Sequence, residues 1–442
     1  MSVSRSRVFI TGLGPICAFG VGVDPLWNAL VEGRSAIRPI EGWDASAFSC
    51  GAAAQLPPER YEIKNAVPKS YRKATKVMAR DTEFAVGAAA EAVRDAKIVT
   101  RATEGATPTL PPDRVGCHIG AGLIAADIDE LTAALVTSRR ADGTFDINHW
   151  GETGMANLTP LWLLKYLPNM LACHVTIIHD CQGPSNTITC AESSAALSVG
   201  ESMRVLQRGD ADACLSGGAE TRIHPMGMLR QIFASRLAAT SQGCDVATLL
   251  APFDEQASGT ILGEGGGIVV LETEDSVRTR GATAIAEIAG FGASQSFFAD
   301  TVGNAPENGD EIADAIDQAL SEAALSAADI DAIVPLGSGI PAVDRAEISA
   351  LERTFKSRTR SIPIIAPMPF VGNCGAGTGA IALITAAQSL RMQTLPARIN
   401  TRSCTALNAN ACASRVAELR SILVTSTSFG GQNAAIVVRR VS

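Results

Sequence analysis

The sequence predicts an α/β fold made of two similar halves around buried sheets, and three observations carry that expectation. Short apolar runs alternate with helical stretches along the chain, the order that lays helices over buried sheets. A unit of strand, tight turn, small-residue helix and closing strands occurs at 186–218 and again at 364–438. The helices of both units are rich in Ala, Ser and Gly. Halves packed through such helices would bring both turns to one central junction, the default place for a site.

Composition agrees with a packed protein. A chain of 442 residues suffices for two domain-sized units or one large duplicated fold. Hydrophobic residues at 46% against 19% charged exclude a disordered class. A net charge of −8 without a Lys/Arg run argues against a nucleic-acid surface. Arg72, Lys73, Lys76 and Arg80 could still meet a phosphate-bearing partner, or form a solvated helix face. The 11 cysteines show no CxxC pair or metal spacing, which suits reduced thiols in a cytoplasmic protein. No signal-peptide core and no run of ~18 apolar residues is present, so no membrane span is expected.

Taken in order, Val8–Ile10 reads as a strand and Thr11–Pro15 as a turn. A helix is expected around Asp24–Glu32, with Asp24 as N-cap and Pro25 at N1. Residues 76–96 show helical spacing, 100–112 read as an exposed loop, and 115–120 as a buried strand. Residues 128–136 read as helix, 141–154 as an irregular excursion, and 268–272 as a buried strand with another after Gly281. Ile312, Ile316 and Leu320 give a helix over 311–325 one apolar stripe. Strands are expected at 333–335 and 364–366, then a Gly-rich turn at 372–379, a helix to Arg391, and a closing pair at 421–425 and 434–438.

The organising stretch is 183–218: a buried strand at 186–189, a sharp turn at Ala191-Glu192, a small-residue helix, and a strand ending in Gly217-Gly218. Such a turn holds one side chain at a helix N-terminus, where orphan N–H groups favour an anion or an activated nucleophile. The tip residue is Glu192. Gly263, Gly265, Gly266 and Gly267 look like a phosphate loop by composition. No Lys-Ser/Thr follows them, so tight backbone packing is the expected role.

The ordered set VFITGLGPICAFG (8–20), NMLACHV (169–175), GPSNTITCAESS (183–194), QRGDADACLSGGAE (207–220), APFDEQASGTILGEGGGIVVLE (251–272), PAVDRAE (341–347), TLPARIN (394–400) and SFGGQNAAIVV (428–438) resembles the β-ketoacyl-ACP synthase family over nearly the whole chain. The resemblance implies a duplicated thiolase-like fold, layered α/β/α/β/α, with two buried mixed sheets and central helices. Its halves would be 1–272 and 273–442. It implies an acyl carrier protein that delivers its phosphopantetheine arm, with no cofactor of the chain's own.

That family condenses with a Cys nucleophile and two His that stabilise developing negative charge. In the family pattern the Cys lies nine residues after the Gly of Gly-Pro and seventeen before the Gly of Gly-Asp-Ala-Asp. Both counts, from Gly183 and Gly209, land on Glu192. Cys190 sits two positions early and is expected to be a buried structural thiol. None of the five His lies beyond His224, so the usual C-terminal pair is missing. Leu336 stands where the first His would be, Asn373 at the second, and Met368 where the family usually has Lys. Phe429 matches the family's gating Phe, with packing as its other role. Glu264 and Asp344 are expected to brace loops.

What remains resembles the chain length factor, or ketosynthase β-subunit, although those proteins often carry Gln at the elbow. The resemblance implies a heterodimer with an active ketosynthase, with a homodimeric acyl- or carrier-binding protein as another outcome. An altered enzyme, such as a Glu192-dependent malonyl-ACP decarboxylase or thioester hydrolase, is the third. For Glu192 three roles stand open: a structural carboxylate facing the helix N-terminus, an acid or base, or a pocket-shaping group.

Overall fold

The computed structural model describes residues 6–297 and 308–441. Nine strands form the main path of the sheet: β1 (Val8–Cys17), β2 (Val115–Ala121), β3 (Ser185–Ile188), β4 (Ala213–Thr221), β5 (Leu262–Thr273), β6 (Ala286–Gln295), β7 (Ala332–Val334), β8 (Ser421–Thr427) and β9 (Gln432–Arg440). The order in space is β7-β8-β9-β6-β1-β5-β4-β2-β3.

The duplication is visible in this order. In the first half β1, β5 and β4 pair antiparallel in sequence, and β4 then pairs parallel with β2 and β2 with β3. The second half repeats the scheme: β6, β9 and β8 pair antiparallel, and β8 pairs parallel with β7. A single parallel bridge between Ile333 and Ile364 stands where the β2–β3 pairing stands in the first half. The segment 364–366 therefore contributes a bridge rather than the expected strand. The two expected sheets are joined edge to edge by pairing of Val8–Ile10 with Ala286–Ile288.

Helices cover and divide these layers: α1 (Val23–Glu32), α2 (Arg80–Asp95), α3 (Met170–His179), α4 (Ser194–Arg208), α5 (Pro225–Phe233), α6 (Asp310–Glu322), α7 (Pro341–Phe355) and α8 (Thr378–Met392). The central pair, α4 and α8, is buried almost throughout. The Ala/Ser/Gly composition noted in the sequence allows that close packing.

Several expectations shift. The Thr11–Pro15 turn lies inside β1, which carries a register shift between Ile10 and Gly12. A Cβ at Gly12 or Gly14 would collide with the backbone of α2 at Ala92 and Ala88. Those glycines serve close strand–helix packing, not a turn. Gly22 caps α1, and Asp24 falls in its first turn. Helix α2 begins at Arg80, because residues 69–77 form a 3₁₀ stretch. The 141–154 excursion contains a short helix, Ile147–Glu152. Gly265 and Gly266 hold φ of 126° and 152°, and a Cβ there would strike the backbone of β1 and β4. This agrees with the packing role expected for the run.

The stretch at 186–189 needs a larger correction. It is not a buried strand: among the described residues β3 ends the sheet, pairs with β2 alone, and exposes Ser185 and Asn186. No helix among the described residues is long and apolar enough to cross a membrane.

Candidate active-site elbow and its ion-pair cluster

Between β3 and α4 the backbone turns sharply, with Ala191 at φ 46°, a conformation that costs energy for a residue with a Cβ. Residues Ala191–Ser193 form a 3₁₀ turn into α4, and the Ser426 hydroxyl donates to the Glu192 carbonyl at 2.9 Å. The pseudo-equivalent elbow, a 3₁₀ turn at Gly375–Gly377, opens α8. The two turns meet, as the repeat predicts.

Glu192 is fully buried at 0% exposure. Its Oε1 accepts from Arg236 Nη2 at 2.7 Å, Arg222 Nη1 at 3.2 Å and Asn373 Nδ2 at 3.3 Å. The Phe429 N–H donates to Oε2 at 3.4 Å. Burial alone would raise this carboxyl, but the Arg236 and Arg222 guanidiniums, with the Asn373 amide, outweigh it and hold the pKa at about 2. Glu192 is thus held as a carboxylate at neutral pH. The sequence reading supplied the helix N-terminus as its charge partner; two arginines take that role.

The cluster spans both halves. Arg222 also grips Glu220 through Nε and Nη2, each at 2.8 Å. Glu220 in turn accepts the Ala376 N–H of the second elbow at 2.7 Å. Arg236 is 4% exposed, lies over the Phe429 ring at 4.6 Å from its centroid, and has a buried Nε without a hydrogen-bond partner. Burial, followed by the repulsion of Arg222, lowers the Arg236 pKa against the pull of Glu192. Two carboxylates and two guanidiniums balance in charge.

Asn373 is 1% exposed, and its Oδ1 accepts from the Gly375 N–H at 2.9 Å and the Thr378 hydroxyl at 3.3 Å, so both ends of its amide are engaged. Leu336 belongs to an apolar core cluster with Ile340 and Met368. Its N–H, with that of Gly337, binds Glu347 at 2.9 and 2.8 Å. Asp344 receives the N–H groups of Phe253, Ser338 and Gly339 and thereby braces the loop before α7, as expected. Glu264 receives the Leu56 N–H and the Thr221 hydroxyl, the bracing role expected of it as well. Cys190 is half-buried rather than buried, with its thiol pushed up by burial.

The four basic residues separate. Arg72, Lys73 and Lys76 are exposed on the 3₁₀ stretch. Arg80 is drawn away into a bidentate pair with Glu264 at 3.1 and 2.9 Å, stacked on Phe84. It is a structural residue, not part of a free basic patch.

Arg222 and Arg236 are the residues that sequence reasoning missed. Each interrupts an apolar or small-residue run, TRIHP and ASRLAA, with no acidic residue at helical pairing distance after it. That signal marks a tertiary partner without naming it.

A duplicated α/β fold with two helix-capping elbows meeting at its centre defines the thiolase-like class of condensing-enzyme scaffolds. Residues 5–276 match the β-ketoacyl synthase N-terminal domain and residues 285–402 the C-terminal domain, so the chain belongs to the β-ketoacyl synthase family. It is similar to 3-oxoacyl-[acyl-carrier-protein] synthase 2 of Staphylococcus aureus strain COL, 28% identical with 99% of each chain covered. It is similar also to a putative polyketide β-ketoacyl synthase 1 of Streptomyces halstedii, 29% identical with 98% of this chain and 97% of that one covered. Among solved structures, the ishigamide ketosynthase/chain length factor superposes with TM-score 0.83 at 25% identity, covering 99% of this chain and 100% of that one.

Proposed function

We propose that the chain is a catalytically degenerate ketosynthase-like subunit that pairs with an active ketosynthase in type II polyketide or fatty-acid-like synthesis and sets chain length. One observation supports the reading: Glu192, the position that the residue count assigns to the family's thiol, is a buried carboxylate locked by two arginines. A carboxylate is a poor acyl acceptor, because a mixed anhydride is no more stable than the thioester that would form it. Nor does the site hold the usual electrophiles. Leu336 has no side-chain donor, and Asn373, Arg222 and Arg236 each spend a donor on Glu192. Loss of one oxyanion donor costs ~10²–10³ in rate, so loss of the set removes condensation.

The same geometry weighs against Glu192 as an acid or base. A group held at about 2 carries no proton at neutral pH, and its negative charge would repel a malonyl carboxylate. The carboxylate serves structure, and Phe429, stacked on Arg236 and bonded to Glu192, is held in place rather than free to gate.

A partner is supported by the surface. Among the described residues the outer edge of β3 is unpaired, and exposed edges invite pairing with another strand. The neighbouring segments display large apolar side chains, Leu123 at 67% and Ile177 at 52% exposure. Clusters of this kind mark association sites. The ishigamide structure is described as a ketosynthase/chain length factor, and another neighbour of this fold as a type II PKS acyl-carrier protein in complex with its ketosynthase. Arg72, Lys73 and Lys76 are the candidate carrier-protein contacts. The chain would bring no cofactor of its own.

Co-expression with a ketosynthase that retains Cys and both His tests the reading. Stable co-purification and a product length that responds to substitutions at the interface are expected. A chain that purifies as a self-dimer and ignores the ketosynthase would replace the proposal with the homodimeric one.

A further inference from the structure

The ion-pair cluster extends beyond Glu192, and with its extension the charges no longer match. Arg80 pairs with Glu264 at 2.9 Å, and Glu264 accepts the Thr221 hydroxyl at 3.0 Å. The Thr221 N–H donates to Asp81 Oδ1 at 3.2 Å. Glu220, the residue before Thr221, is held by Arg222, which reaches on to Glu192 and through it to Arg236. The connected set holds three guanidiniums, Arg80, Arg222 and Arg236, against four carboxyls, Asp81, Glu192, Glu220 and Glu264.

The odd carboxyl is Asp81. It is 3% exposed, and among the described residues no Arg or Lys forms an ion pair with it. The charges that face it are acidic: Glu220 from β4 and Glu264 from β5. Arg80, next to it on α2, turns its guanidinium to Glu264, and Arg222 is spent on Glu220 and Glu192. Tyr61, beside Arg80, is pushed up by burial and stays neutral. The second elbow brings Cys374 against the same acids, a thiol that burial also pushes up, and the Ala376 N–H, which donates to Glu220.

A charge on Asp81 meets neither water nor a cation. Burial first, then Glu220, therefore raises this carboxyl from the ordinary 3.8 to about 7. With the proton in place, three charges of each sign balance. Without it, one negative charge stands in excess beside Glu220. Arg222 is the shared cation, tied to Glu220 by two contacts of 2.8 Å and to Glu192 by one of 3.2 Å. Added negative charge on the Glu220 side draws Arg222 off its longer contact, the one to the first elbow. Repulsion between Asp81 and Glu220 strains the 2.7 Å bond from Ala376, the one to the second.

We propose that Asp81 is a proton-operated control of the junction between the halves: its protonated carboxyl lets Glu220 and Arg222 clamp both elbows, and its ionisation loosens them. The proposal depends on neither a partner subunit nor a carrier protein.

The test is amide hydrogen exchange of the full chain, read by mass spectrometry on peptides covering 191–194 and 373–378, at pH 5 and pH 8, corrected for the intrinsic rate. A carboxyl raised in the folded state contributes fully below its unfolded value and loses that contribution as pH rises to the folded value. Protection at the elbows is expected to fall about a hundredfold, a factor of ten for each unit between pH 5 and about 7. Asp81→Asn keeps an acceptor for the Thr221 N–H and has no proton to lose, so its elbows should be protected nearly equally at both pH values. Asp344→Asn removes a buried carboxyl outside this set and should leave the elbow response intact. Wild-type elbow protection that changes less than about threefold, an Asp81→Asn protein that still responds, or a response abolished by Asp344→Asn would overturn the proposal. The first of these is read on the wild type, so it decides even where Asp81→Asn does not fold.

Discussion

Glu192→Gln removes one charge at nearly constant shape, and the structure says what should follow. Arg222 keeps Glu220 as its counter-ion. Arg236 does not: it is 4% exposed, and its ion pair is with Glu192 at 2.7 Å. Breaking a buried pair by removing one member costs about 3–5 kcal/mol, because the other charge stays desolvated. The titration behaviour gives the same size. A carboxyl held at about 2 instead of its ordinary 4.5 stabilises the fold at neutral pH by about 3 kcal/mol. The assay is denaturant unfolding of Glu192→Gln, Arg236→Met and the double variant. Each single variant should lose about 3–5 kcal/mol, while the double should recover most of it, since replacing a whole buried pair by apolar groups is often neutral. A Glu192→Gln protein within about 0.5 kcal/mol of wild type would refute the reasoning. So would losses that simply add.

The pH dependence should be two-sided. The Glu192 contribution is complete above 4.5 and is lost as pH falls toward about 2. Asp81, Asp344 and Glu347 are raised, chiefly by burial, to about 7, 6 and 7, so they favour the folded state at low pH and lose that advantage as pH rises through those values. Unfolding midpoints should therefore fall as pH rises from about 4 to about 7 and level off above it, and fall less steeply in Asp81→Asn. Glu192→Cys, which returns a thiol to the elbow, should leave condensation undetectable by product analysis with acyl-ACP and malonyl-ACP, because Leu336 and Asn373 still supply no charged donor. Ile177→Arg, on the exposed apolar face of α3, should abolish co-purification with a ketosynthase while circular dichroism and the unfolding midpoint stay unchanged.

The fold was legible because its signals are local and repeated. The strand–turn–helix around Glu192 and its echo at Asn373 could be placed by counting, and α6 announced itself through Ile312, Ile316 and Leu320. What escaped was set by tertiary position. Nothing in GPSNTIT distinguishes an edge strand from a central one, since exposure depends on which neighbours the topology supplies. Gly12 and Gly14 look like turn residues until α2 is seen lying on them. Arg80 looks like part of a basic run, but Glu264 lies far along the chain. The largest omission, Arg222 and Arg236, has the same cause. A buried charge is recognisable in sequence only through its partner, and here the partners are brought together by the junction of the two halves.

The central claim is that the elbow has exchanged chemistry for an ion-pair lock. It is tested most directly by reconstitution with malonyl-ACP and an acyl-ACP primer, with the chain alone, the ketosynthase alone and the two together, following CO₂ release and product length. The account predicts no CO₂ release by the chain alone, and efficient extension to a defined length only when both are present. Turnover of malonyl-ACP by the chain alone, stopped by Glu192→Gln, would contradict it.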